Sequence, residues 1–328
     1  MRFTSLAVAL MLAIGATVVQ AKELRLSMAP PAKSPWGAVA QKFVDKVAEV
    51  SGGKLTVKAY MGSKLGGEQD VVRQIARGRI DLGVMSNTAV SLVVPEFGLL
   101  ASPYAFDSAK QFDCVADNHL LSTFGEDFSA AGIHAISWME VGYQVIFGKN
   151  EIRVPSDMAG EKIRTAPSAT DTIFIQTAGG TAVPLSPKDT IPALKTGQVA
   201  AATQLSVFGI VVGYPKVAPV ITLTRHQHQV GGVIVSKKTW DTLNDQEKAW
   251  INEAAPTFLD LRGMIRGAEG ALLKKAQGGG ATIINLTDDE LAQWKAVAPK
   301  AQKAIINELG GSAAIKWDAI LKAKAACS

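Results

Sequence analysis

"SDMAGEKIRTAPSATDTIFIQTAGGTAVPLSPKDTIPALKTGQV", residues 156–199, is the stretch whose reading decides the fold. EKIRTA centres on Ile163 and reads as a short strand running into small residues. Ala169 to Ala178 follows as a helix, with Gly179-Gly180 as its stop signal. TAVPL is a second strand, Lys188 to Lys195 a second helix ended by Gly197, and QVAAATQ a third strand. Strands alternating with single helices specify βαβ units, and parallel strands require such crossovers. Arg164 stands at the end of the first strand of the series. Open parallel sheets hold ligands at the carboxyl ends of their strands, so Arg164 is a candidate anion-binding residue. Position alone leaves a second reading, a surface arginine paired with Glu161 or Asp157.

The same grammar runs upstream. KELRLSMA, from Lys22, alternates as a first strand, and Ser34-Pro35 opens a helix through Val50 whose apolar face is Ala40, Phe43, Val47 and Val50. Ser51-Gly52-Gly53 supplies a left-handed C-cap. KLTVKAY is a second strand, Glu68 to Arg77 a helix, and IDLGVM a third strand. Between the two series lie the extended segments of IHAISWMEVGYQVIFG, residues 133–148. Beyond the second come QVGGVIVS, a buried-looking strand, and a long helical region from Leu243 to Gln277. The expected fold class is α/β. It has two α/β lobes with strand exchange, a hinge and a long connecting helix, since no linker rich in Pro or Ser separates the halves. The divisions are 1–21 as a leader, 22–140 mainly lobe I, 141–235 mainly lobe II, and 236–328 a helical region spanning both.

The 328-residue chain is 48% apolar and 19% charged, a globular composition. Arg2, the apolar run Leu6 to Val19 and the small-residue site ending at Ala21 predict a secretory signal peptide, with Lys22 as the mature N-terminus. That run is shorter than the roughly 20 residues of a membrane span. After it, the most apolar segment, Val84 to Phe106, is interrupted by Asn87, Glu96 and two prolines, so a soluble, exported mature protein is expected. The formal charge of +5 is spread among acids, as in KKTWDTLNDQEKAW, with no basic block alternating with aromatics, which excludes nucleic acid as a partner. Cys114 and Cys327 are the only cysteines. An even pair in an exported protein can form a disulfide, and whether these two do depends on a Cα separation the sequence does not show.

Two stretches carry a family resemblance: SGGKLTVKAYMGSKLGGEQDVVRQIARGRIDLGVM, residues 51–85, and the segment quoted at the outset. Both resemble substrate-binding proteins of the tripartite ATP-independent periplasmic (TRAP) transporters, in the dicarboxylate-binding branch, and the resemblance extends over essentially the whole mature chain. It implies a periplasmic-binding-protein-like α/β fold and a receptor in the periplasm that binds a small organic acid between two lobes and delivers it to the TRAP permease membrane subunits. It implies no cofactor, and monomer is the default for a receptor that must open and dock. By position, Arg164 matches the arginine that clamps the substrate carboxylate; a guanidinium is a rigid fork fitted to two oxygens. Gln204 falls where the family usually has an asparagine. Gln144 stands near a second arginine of some members, and its neutrality favours a monocarboxylate.

Further candidates come from loops at strand ends. Trp36 could stack on a ligand or simply belong to the apolar face of its helix. Glu68 could contact a ligand hydroxyl or stabilise the start of its own helix. Ser86 and Asn87 follow the third strand and could donate hydrogen bonds, and Phe208 could wall the pocket. His226 and His228, in TRHQHQVGG, are expected in a solvated turn rather than at a metal. No serine elbow, phosphate loop or zinc helix is present, so an enzyme is not expected. The competing readings are a secreted α/β hydrolase with an unrecognised nucleophile and a ligand sensor for a membrane kinase.

Overall fold

A computed structural model describes residues 21–328; the leader read at the N-terminus lies, save Ala21, outside them. β1 (Lys22–Met28) leads into α1 (Pro35–Ser51), whose Ser34 Oγ accepts from the Gly37 amide as N-cap and whose C-cap Gly52 sits at φ 57°. That left-handed turn favours a residue without Cβ. β2 (Leu55–Tyr60), α2 (Glu68–Ala76), β3 (Leu82–Met85) and the single turn α3 (Asn87–Val90) follow. Next comes α4 (Ala109–Ala130), which carries Cys114.

Two long strands dominate the middle. The extended segments expected over 133–148 form one strand, β4 (Ile133–Gly148). After it the second series appears as read: β5 (Lys162–Thr165), α5 (Ala169–Thr177), β6 (Thr181–Pro184), α6 (Pro187–Thr196) and β7 (Ala201–Leu205). A short α7 (Ser206–Val212) leads to β8 (Val220–Ser236). The strand expected as QVGGVIVS is therefore only the end of β8. The predicted solvated turn around His226 and His228 is corrected: both lie inside β8 and are buried. They are masked as a strand in sequence because polar Arg225, Gln227 and Gln229 interleave with them.

The sheet is mixed, with parallel pairing in the two βαβ series. Its order is β2-β1-β3-β8-β4-β7-β5-β6. Each outer trio is parallel, as its βαβ units require. β4 and β8 cross between the trios as an antiparallel ribbon and pair antiparallel with β7 and β3. Register shifts bend the ribbon near Ala135, Glu140 and Gln144. At the second of these Gly142 takes φ 108°, open to glycine and hostile to other residues.

The helical region is also broken where one long helix was expected. It divides into α8 (Lys237–Thr242), α9 (Asp245–Ala254), a 3₁₀ stretch Ala255–Asp260 and α10 (Leu261–Gly278). Pro256 has no N–H to continue the ladder, so the α-helix stops before it. α10 still joins the halves: its Leu261 and Ile265 enter the core beside β1 and α1, while Leu273 enters the core beside β7. A strand absent from the sequence reading, β9 (Thr282–Ile284), pairs with β8. α11 (Asp288–Leu309) likewise places Trp294 in one half's core and Ile305 in the other's. α12 (Ala313–Ala326) closes the chain, and Cys327 bonds Cys114 across a Cα–Cα distance of 5.7 Å. Among the described residues no helix is long and apolar enough to cross a membrane.

Candidate functional site

Between the two halves of the sheet lies a cavity of about 630 Å³, part of it open to solvent. Its polar groups arrive from three kinds of element. Ser86 follows β3, and Arg164 and Gln204 come from β5 and β7, all near strand ends where βαβ geometry leaves a crevice. Gln144 and Gln229 come from the ribbon, and Glu68 from the first turn of α2. Trp36, Val84, Met139, Val141 and Phe208 supply much of the apolar wall. Seven of the eight predicted residues thus meet around one space: Arg164, Gln204, Gln144, Trp36, Glu68, Ser86 and Phe208. Asn87 does not join them. Its amide donates to the Phe97 carbonyl at 2.8 Å and fastens α3 to the 3₁₀ stretch Pro95–Ala101.

Arg164 is 1% exposed and pairs with neither Glu161 nor Asp157. Nε and Nη2 donate to the Leu185 carbonyl at 2.9 and 2.6 Å, and Nη1 donates to the Thr203 carbonyl at 2.9 Å. Five N–H donors less three such bonds leaves one on each terminal nitrogen, among the described residues. Burial pulls the guanidinium down from its ordinary range, and Tyr214 and Asp171 oppose that pull. A buried cation whose protein bonds are all to backbone carbonyls is stabilised strongly by an incoming anion.

The two glutamines differ. Gln204 Nε2 donates to the Tyr214 hydroxyl at 3.2 Å and its Oε1 accepts from the Leu205 amide at 2.9 Å, so both ends are engaged. Gln144 Nε2 donates to Asp171 Oδ1, and its Oε1 is buried with no partner among the described residues. Trp36 serves the core and the cavity together: it is buried, its Nε1 donates to the Glu140 carbonyl at 3.3 Å, and its ring meets Phe208 edge-on at 6.3 Å. Glu68 accepts from both the Ser86 amide and the Ser86 hydroxyl. Its burial pushes the carboxyl above its ordinary range, and the two bonds from Ser86 counter the shift.

Asp171, beside Gln144, is one of the residues that sequence reading missed. Its carboxylate takes the Ser168 hydroxyl and the Gln144 amide, and burial raises its pKa against those bonds and Arg164. A signal was present: Ser168-x-x-Asp171 is a capping motif at the start of a helix, and Ser168 Oγ does accept from the Asp171 amide at 3.2 Å. Gln229 was missed for a different reason, since only the bend of the ribbon turns it into the cavity.

Comparison with known proteins places the chain. Residues 26–308 match DctP, the bacterial extracellular solute-binding protein family 7. A solute-binding protein of Chromohalobacter salexigens is 25% identical over 240 residues, 73% of this chain and 71% of that one. Two solved structures share the fold. The sugar acid binding protein DctPAm of Advenella mimigardefordensis has a TM-score of 0.88 at 22% identity, covering 94% of this chain and 99% of that chain. A TRAP periplasmic solute-binding protein of Sulfitobacter sp. NAS-14.1 has a TM-score of 0.86 at 22% identity, covering 92% and 100%. The family is one of receptors, which removes the hydrolase reading. With its model matching most of the chain, the chain belongs to family 7 of the bacterial extracellular solute-binding proteins, the DctP receptors of TRAP transporters.

Proposed function

We propose that the protein receives a small organic acid with a single carboxylate, held by Arg164, and delivers it from the periplasm to a TRAP permease. One observation carries the reading: Arg164 is buried at a strand end in the cavity, with one free N–H on each terminal nitrogen and no acidic partner among the described residues. Those are the donors a planar carboxylate takes in parallel. Gln144 supports the restriction to one carboxylate, because it offers a second acid group no cation. Apart from Arg164 and Glu68 the walls are apolar or neutral, so no second cation awaits another anion. The Sulfitobacter protein holds β-D-galacturonate and the Advenella protein galactonate, acids with one carboxylate each. In this reading the chain is exported, cleaved after Ala21 and works as a monomer. Lobe I is residues 22–140 and lobe II residues 141–235, with the ribbon as hinge, and ligand shifts an open–closed equilibrium because both lobes contact it only when closed.

The test is calorimetric titration of the mature protein with a panel of organic and sugar acids and their neutral sugar counterparts. Arg164→Ala should abolish binding of every acid. Arg164→Lys keeps the charge but loses the parallel fork, and should still weaken binding by about 2–5 kcal/mol. Wild-type affinity in Arg164→Ala, or binding confined to neutral sugars, refutes the clamp.

A further inference from the structure

We propose that Tyr104 is a latch on the hinge, holding one short piece of β8 in the arrangement that belongs to the closed cleft. The inference rests on the reading above that two lobes close about the ribbon. It adds which residues of the ribbon turn and what holds them.

β4 and β8 fall out of step where the two halves of the sheet part. Gln144 faces Gln227 and Ile146 faces Thr222, so the single residue Val145 stands opposite four, Leu223 to His226. On one side of this excursion Val220–Thr222 pairs with β4 and β9; on the other, β8 runs beside β4 and then β3. Rotation of one lobe on the other is absorbed by the φ and ψ of a few residues. Leu223 to His226 can supply it on β8, because no partner on β4 fixes their register. The backbone there is already unusual. Arg225 takes φ 43°, in the left-handed region that residues with a Cβ avoid. Such a conformation persists only where its surroundings hold it.

Tyr104 supplies that hold. Its amide donates to the His226 carbonyl at 2.9 Å and its hydroxyl to the Thr224 carbonyl at 2.9 Å, so one residue grips both neighbours of Arg225. Tyr104 follows the 3₁₀ stretch Pro95–Ala101, in lobe I of the division above, yet its ring packs on the core of Ile146, Phe174 and Trp294 in the other half. Gln302 on α11 donates to the neighbouring Pro103 carbonyl at 2.8 Å and ties the loop to a helix that spans both halves. The grip belongs to the closed form, since here residues of both lobes enclose the ligand cavity and Arg164 is 1% exposed. A second cavity, about 1510 Å³ and partly open to solvent, is lined by Tyr104 and Leu223 to His226 and shares no residue with the first. It leaves the excursion room to move once the grip is released.

The test is pulsed dipolar distance measurement between nitroxide labels at Gln41→Cys on α1 and Lys195→Cys on α6, exposed positions in the two lobes, with the native cysteines held in their disulfide. The full mature receptor is measured alone and with whichever of galactonate and galacturonate calorimetry shows to bind. Wild type should show two separations, the acid enriching the closed one. Tyr104→Phe keeps the ring and loses one buried bond. It should shift the ligand-free ratio about three- to tenfold toward open and quicken release of the acid by a similar factor. Arg225→Gly relieves φ 43° without cutting either bond, and should shift the ratio severalfold the other way. Glu269→Gln removes the 2.8 Å ion pair with Arg225, leaves the backbone alone and should move the ratio little. A merely structural Tyr104 would lower the melting temperature and leave the ratio of the folded receptor unchanged. That result, or shifts of Tyr104→Phe and Arg225→Gly in one direction, overturns the latch. If neither acid binds, the ligand-free ratios decide alone. A single separation in wild type, unmoved by an acid that is bound, overturns the closure reading itself.

Discussion

His226 shows how much one buried side chain commits the protein to a pH range. Its ring stacks on Phe174 at 4.8 Å, and its Nδ1 bonds the Thr224 hydroxyl at 2.7 Å. Burial lowers its pKa to about 3 from an ordinary 6.5. The folded state therefore prefers the neutral ring. The contribution to stability is fully present above pH 6.5, and is lost as pH falls toward 3, at ~1.4 kcal/mol per unit. His226→Asn keeps a polar partner for Thr224 and cannot charge in that range. Thermal melts between pH 7 and pH 3 should show a shallower acid branch for this variant than for wild type; parallel branches would mean that the ring is solvated in the folded protein. Arg164 belongs to the same scale and illustrates the opposite case, a charge kept in spite of burial because a guanidinium is not readily discharged.

At the scale of elements, four pieces of structure meet through one polar network. Arg266 on α10 bonds both oxygens of Asp113 on α4 at 2.7 Å and also reaches Glu140 on β4. Glu140, with a side chain only 1% exposed, takes His228 Nε2 from β8 at 2.7 Å. The attraction raises the Arg266 pKa well beyond its usual value, chiefly through the bond with Asp113. Removing one partner leaves Glu140 buried with less compensation, and breaking such a pair costs about 3–5 kcal/mol. Arg266→Ala should lower stability by that order in urea melts, whereas Lys42→Ala, which removes an exposed pair with Asp260, should change it by less than about 1 kcal/mol. Equal effects would show that the network adds nothing beyond surface pairing. The helix divisions at this scale were partly legible. Ser34-Pro35 and Gly52 mark α1 by local chemistry, and Pro256 marks the break that the reading of one long helix overlooked.

For the whole molecule, the disulfide closes a loop of 213 residues in sequence separation. It ties α12, the last element, to α4 beside the Asp113 cluster. Restricting an unfolded chain over so long a loop stabilises the fold by ~3–5 kcal/mol on the chain-entropy model. Cys114→Ser should lower the melting temperature by about 5–15 °C, and a reducing agent should do the same to wild type without affecting the variant. No difference between reduced and oxidised wild type would remove the bond from the stability account. The same crossing arrangement explains why α10 and α11 each contribute to two cores: two halves joined by a ribbon alone would turn freely, and helices spanning them limit the motion.

The sequence by itself determined what depends on neighbours in the chain. The βαβ series, the glycine stops, the serine caps and the position of Arg164 at a strand end all follow from local periodicity and backbone chemistry, which act over a few residues. The same holds for the family, whose segments at 51–85 and 156–199 are contiguous. Tertiary structure decided what depends on distant partners. β4 and β8 became an antiparallel ribbon because their registers are set by each other, and His226 and His228 were buried by that pairing despite polar neighbours in sequence. Cys114 and Cys327 met because α12 returns to α4. Asp171 met Gln144, 27 residues earlier in the chain, only through folding, and hydrogen-bond partners at a buried site are fixed by such contacts rather than by residue type.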